Sequence, residues 1–186
     1  MAHKEGVSRE TVMYFNPSQI SLAGRSFAHA EKLAGRYYRL GEANLNSLRY
    51  DVNTLASLEE HEVSDNAFAH LCRYHYQAAH GPTQTGGFDF YRICLQDDRI
   101  LDAVNRACSF IKLPPLLLYI AAHELVHVIR FDAGEGSFDV SPEEKQQEEK
   151  RVHKITRQML SHIIYPDLKI VLDCFSDRLS IGDMVN

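Results

Sequence analysis

A chain of 186 residues is long enough for one hydrophobic core and too short for two comfortable ones, and a composition of 45% hydrophobic and 24% charged residues excludes a disordered chain. A formal net charge of −5 and a pI near 6.0, with basic residues scattered instead of clustered, exclude the electrostatic footprint of a nucleic-acid binder. The four cysteines, Cys72, Cys94, Cys108 and Cys174, are far apart and form no CxxC pair, so they suggest neither a disulfide framework nor a cysteine zinc site.

Residues 1–15 lack the apolar stretch of a secretory signal, and LPPLLLYIAA at 113–122 falls short of a membrane span. The expectation is a cytoplasmic α+β protein, one domain over 1–186, with reduced thiols and no membrane partner; the oligomeric state is open. A helical and mixed part covers about 1–80, and a second part of about 88–164 carries the chemistry.

Phe27, Ala30, Leu33, Ala34, Tyr37 and Tyr38 recur at helical spacing, which predicts an amphipathic helix over 20–39. Residues 41–63 fit helix and strand equally. The aromatic stretch 71–76 reads as a strand or as a short helix entered through Ser64 or Asp65, and HGPTQTGG at 80–87 is a turn-rich loop. His70, Cys72, His75 and His80 lie close in sequence, but their spacing matches no metal motif. FDFYRICL at 88–95, aromatic and β-branched, is the best strand in the chain, and a helix over 99–110 should follow.

Pro114 and Pro115 suit the first turn of a helix that runs to about Phe131. Leu116, Leu117, Leu118, Ile120, Leu125, Val126, Val128 and Ile129 make it apolar on nearly every side, so it should be the central buried helix. DAGEGSFDV at 132–140 is a loop. Ser141 as cap, Pro142 in the first turn and Glu144 as reciprocal capping residue open a further helix, whose stripe of Val152, Ile155, Met159 and Ile163 packs on the core until Tyr165 and Pro166 stop it.

Polar groups inside the buried helix need a reason. In its HELVH sequence His123 and His127 are four residues apart, so both imidazoles leave one helix face a turn apart and can grip one ion. Glu124 lies about 100° round the helix, beside that face without competing for the ion. Imidazole ligands and a neighbouring carboxylate that takes a proton from activated water are what a zinc hydrolase needs. Without a metal, three such groups in an apolar helix would each cost about 2 kcal/mol or more if left unsatisfied. The next helix offers Glu148, Glu149 and His153 toward the same region, because Glu148 and Glu149 both border the stripe continued by Val152 and Ile155.

Over about 88–163 the chain resembles the zincin metallopeptidases, and among them the gluzincin branch, in which a glutamate from a following helix completes the metal site. The metzincin pattern does not fit: it needs Gly at 130 and His or Asp at 133, where Arg130 and Ala133 stand, with Asp132 out of register. EKRVH at 149–153 is similar to the gluzincin E-x-x-A-D pattern. The resemblance implies Glu149 as third ligand, Val152 in the small apolar place, and His153 in place of the aspartate that supports a ligand or the oxyanion; Glu148 and His153 are the alternative ligands. It further implies zinc as cofactor, Glu124 as general base, a peptide or protein substrate, and FDFYRICL as an edge strand bordering the cleft. His153, Tyr91 and Arg130 are candidates for the oxyanion partner. The rival expectation is a metal-binding or interaction module that keeps the scaffold without catalysis.

Overall fold

Asn16 accepts a hydrogen bond from the Gln19 backbone and Gln19 returns one to Asn16, a capping box that, with Pro17 in the first turn, starts helix α1 (Pro17–Tyr38). The computed structural model describes residues 12–77, 86–107 and 110–175. Helix α2 (Glu42–Ser47), strand β1 (Tyr50–Asn53) and two short 3₁₀ turns (Leu55–Ser57 and Glu60–Glu62) occupy the segment whose pattern favoured neither helix nor strand. Strands β2 (Ala69–Gln77) and β3 (Gly87–Leu95) are followed by α3 (Asp97–Arg106), α4 (Leu113–Asp132), α5 (Pro142–Ser161) and α6 (Leu168–Cys174). Of the turn-rich loop, 80–85 lies outside the described residues, as do His80 and Cys108.

The architecture is α+β, with one three-stranded sheet in the order β1-β3-β2. Strand β1 runs parallel to β3 and β2 runs antiparallel to it. This corrects the expectation for FDFYRICL. It is the central strand, with both edges bonded, and β2 is the one that borders the cleft. The reason is composition: Tyr91, Ile93 and Leu95 are buried on one face and Cys94 on the other, which an edge strand with a wet side would not require.

Residues of α4 are buried without interruption from Pro115 to Arg130. The helix packs on α1, on the inner face of the sheet, and on α5 and α6. Tyr91 of β3 meets Phe131 of α4 at 6.0 Å between ring centres. A fully buried side chain of Leu or Ile size contributes about 1.5–3 kcal/mol, and α4 supplies Leu116, Leu117, Leu118, Ile120 and Leu125 at 0–1% exposure. The rigid element at the centre of the fold is therefore the one that carries HELVH. Among the described residues no helix is long and apolar enough to cross a membrane.

The turn after α4 depends on glycine. Gly134 adopts φ 69°. The Glu135 and Gly136 amides then bond back to the Arg130 carbonyl at 2.8 and 3.3 Å. A Cβ on Gly136 would stand 2.9 Å from Glu148 Oε1 and 3.0 Å from the Phe131 ring, so a larger residue would have to displace the Glu148 carboxylate that Arg130 holds. Ser141 and Glu144 form the expected capping box that opens α5.

Candidate metal centre

Helix α5 crosses α4 in the opposite sense: Glu148 meets Arg130, Glu149 meets His127 and His123, and His153 meets Tyr119. The buried pair sets the rotation. The Arg130 guanidinium donates from Nε to Glu148 Oε1 at 2.6 Å and from a second nitrogen to Oε2 at 3.1 Å, a two-pronged contact between side chains 9% and 10% exposed. It also donates to the Glu135 carboxylate at 2.8 Å and to the Glu135 carbonyl at 3.2 Å. With Glu148 so engaged, Glu149, about 100° further round, faces the histidines.

The Glu149 carboxylate lies 3.2 Å from His123 Nε2 and 3.0 Å from His127 Nε2. One donor atom from each of these three residues falls within 4.8 Å of the others, and Glu124 is not among them. Two imidazole nitrogens and a carboxylate oxygen are a donor set that zinc takes in hydrolases, with a fourth position left for water. Of the two glutamates weighed for this place, Glu148 is spent on Arg130. Asp132 is exposed and outside the group.

The two imidazoles are positioned by packing. His123 stands at 4.9 Å from His127 and 4.7 Å from His153, and His127 lies 5.7 Å from Phe131, measured between ring centres. Nδ1 of both rings is buried with no hydrogen-bond partner among the described residues. Such a nitrogen costs about 1–3 kcal/mol, so whatever offsets the burial of these rings acts at Nε2, where the carboxylate converges. His153 Nδ1 is 2.7 Å from the Tyr119 hydroxyl, which ties His153 to α4 beside His123 and leaves the carboxylate–imidazole contacts to Glu149.

Electrostatics in the metal-free chain follow from burial. For His123 burial outweighs the Glu149 hydrogen bond and lowers the pKa. For His127 burial is overcome by that same hydrogen bond together with the Glu149, Glu124 and Glu148 charges, and the pKa rises. Burial also opposes charge on Glu149, but hydrogen bonds from both histidines hold its carboxyl well below the usual range. Glu124, 6% exposed, is pushed up to about 7 by burial, eased by His127 and reinforced by Glu149. A carboxylate poised near neutrality is suited to take and return a proton.

These groups line a cleft of about 490 Å³. Its floor is His123, Glu124, His127 and Glu149, its walls are Phe131 and Phe138 on one side and the start of β2, from Ala69 to Leu71, on another. Tyr91 is buried against Phe131, Arg130 is held by two glutamates, and none of the three oxyanion candidates, His153 included, is among the residues that line the cleft.

The segment that carried His70, Cys72 and His75 splits across the sheet. His75 pairs with Asp89 at 2.8 Å, on the other face from His70 and Cys72. Cys72 instead meets Cys94, a contact with no signature in the spacing of the cysteines. Compared with protein-family models, curated proteins and solved structures, the chain matches none.

Proposed function

We propose that the chain is a zinc-dependent hydrolase of the zincin type, close to the gluzincin branch, whose substrate is a peptide or protein. One observation carries this reading: His123 Nε2, His127 Nε2 and the Glu149 carboxylate converge on the floor of an open cleft, with Glu124 beside them and outside the donor group. His123, His127 and Glu149 would hold the metal, which when bound supplies Lewis acidity to a water and to a carbonyl oxygen. Glu124 takes the proton of the attacking water and passes it to the leaving amine, a role supported by its place beside the two histidines and outside the donor group. Arg130 and Glu148 orient α5 and hence Glu149. His153, bonded to Tyr119, keeps the wall behind His123 in place.

A peptide substrate is favoured by the strand at the cleft. Among the described residues β2 bonds only to β3, so its other edge offers main-chain groups to an extended chain beside the metal ligands. A cytoplasmic site of action belongs to the same reading and rests on the free thiols of Cys72, Cys94 and Cys174.

The test is to incubate zinc-loaded protein with a peptide library and to compare it by mass spectrometry with Glu124→Gln. Turnover is expected to fall by about 10²–10⁴ while zinc content is kept. Cleavage that survives in the zinc-replete variant would remove Glu124 from the mechanism. Absence of cleavage by either form, with zinc bound to both, would favour a binding module.

A further inference from the structure

On the face of the sheet turned away from α4, the register sets His70 of β2 opposite Cys94 of β3, and Cys72 opposite Arg92. The two cysteines are therefore diagonal neighbours, and their sulfurs stand 3.9 Å apart. His70 Nε2 lies 3.2 Å from the Cys72 sulfur. The 3₁₀ turn Glu60–Glu62 lies over this face and turns Glu62 inward, with its side chain 0% exposed. A Glu62 oxygen and both sulfurs lie within 4.8 Å of one another. Gln96 fastens the turn by donating to the Glu62 carbonyl at 3.0 Å and to the Cys94 carbonyl at 3.1 Å.

We propose that Cys72, Cys94 and Glu62, with His70 beside them, form a second metal site, suited to a thiophilic divalent cation and above all to zinc. This inference is independent of the hydrolase reading.

Three observations carry it. The first is distance: Zn–S bonds of about 2.3 Å at a tetrahedral angle put two sulfurs about 3.8 Å apart, and a sulfur and an imidazole nitrogen about 3.6 Å apart. The sulfurs already stand at that separation, while the His70 nitrogen, close to Cys72 but outside the donor group, would have to swing toward the ion to join it. The second is register: the two cysteines are diagonal neighbours. Diagonal partners in a sheet have Cα atoms about 7–8 Å apart. That is at or past the upper end of what a disulfide spans, about 7 Å, a spacing that favours a bridging ion over a covalent link.

The third is charge. Arg92 is bound by Asp51 at 2.9 Å and by Glu62 at 3.1 Å, so two carboxylates face one guanidinium. With both thiols deprotonated on binding, a divalent ion and two thiolates sum to zero, and occupancy adds no net charge to a buried cluster. Glu62 accepts from Tyr74 and Arg92 at Oε1 and from the Glu59 amide at Oε2, which keeps a further lone pair to offer. An ion here would clamp the Glu60–Glu62 turn to β2 and β3, and so brace the strand that walls the cleft.

The experiment is a cobalt(II) titration of the full chain, stripped of metal and kept reduced under argon. Sulfur-to-cobalt charge-transfer absorption is expected in the parent, is expected to persist in His123→Ala/His127→Ala, and to vanish in Cys72→Ser/Cys94→Ser, with zinc content falling by one equivalent in each double variant. A second measurement needs no substitution: bound zinc should slow alkylation of Cys72 and Cys94 about tenfold or more, read by peptide mapping, and leave Cys174 unchanged. A parent with no charge-transfer band in excess cobalt, or equal alkylation rates with and without zinc, would overturn the site. A band with one equivalent of metal in total would uphold this site and count against the histidine centre.

Discussion

Replacing Arg130 by Met tests how the candidate centre is held together. The substitution keeps most of the apolar stem and strips Glu148, 10% exposed, of its two-pronged partner. Its remaining cationic neighbour, Arg151, is 3.9 Å away and 61% exposed, too far and too wet to replace it. Leaving one member of a buried pair uncompensated costs about 3–5 kcal/mol. Loss of the half-exposed Glu135 contact adds about 0–1 kcal/mol. With a urea slope of about 2 kcal/mol/M, the midpoint of the metal-free protein should fall by about 2 M.

Glu148→Met should cost less, because the stranded guanidinium keeps the Glu135 carboxylate and carbonyl. The double variant Arg130→Met/Glu148→Met should recover most of the loss, since a buried ion pair replaced by apolar groups is about neutral or better. In Arg130→Met, zinc affinity measured by chelator competition should fall about 10–100-fold, because Glu149 is aimed through its neighbour. An Arg130→Met cost below about 1 kcal/mol, or a double variant no more stable than the worse single one, would refute this account of the latch.

Glu149→Ala should reduce zinc affinity far more than it reduces the stability of the metal-free chain, whereas Glu148→Ala should show the opposite split; equal effects in both assays would undo the distinction between ligand and latch. Tyr119→Phe should cost about 1 kcal/mol and keep the zinc, and a loss of zinc would bring His153 into the ligand set. The pH dependence of the metal-free protein should carry Glu124. Its folded pKa of about 7 stands above the ordinary 4.5, so between those values the native state holds a proton that the unfolded chain has lost. Stability from this group is then present below pH 4.5 and declines with rising pH by about 1.4 kcal/mol per unit through the window. Glu124→Gln should lack that slope, becoming more stable than the parent at pH 8 and indistinguishable from it below pH 4.5; parallel curves would mean that Glu124 is ionised at no cost in the folded chain.

Local periodicity made much of this chain readable without coordinates. Histidines four apart in a helix apolar on all sides, a capping box at Ser141 and Glu144, and an aromatic, β-branched run at 88–95 each specify their element through contacts within a few residues. The same logic left Glu148, Glu149 and His153 as candidates for a third donor, with Glu149 put first by the resemblance. It went no further, because adjacent helical residues differ by rotation alone and the rotation is set by Arg130, on another helix. That FDFYRICL is central depended on β1, formed in a segment with no pattern of its own and held by its pairing with β3. Cys72 and Cys94 look unrelated in the sequence, and only the antiparallel register of β2 and β3 brings their sulfurs together, since pairing partners across a sheet are set by long-range packing and leave no period to read.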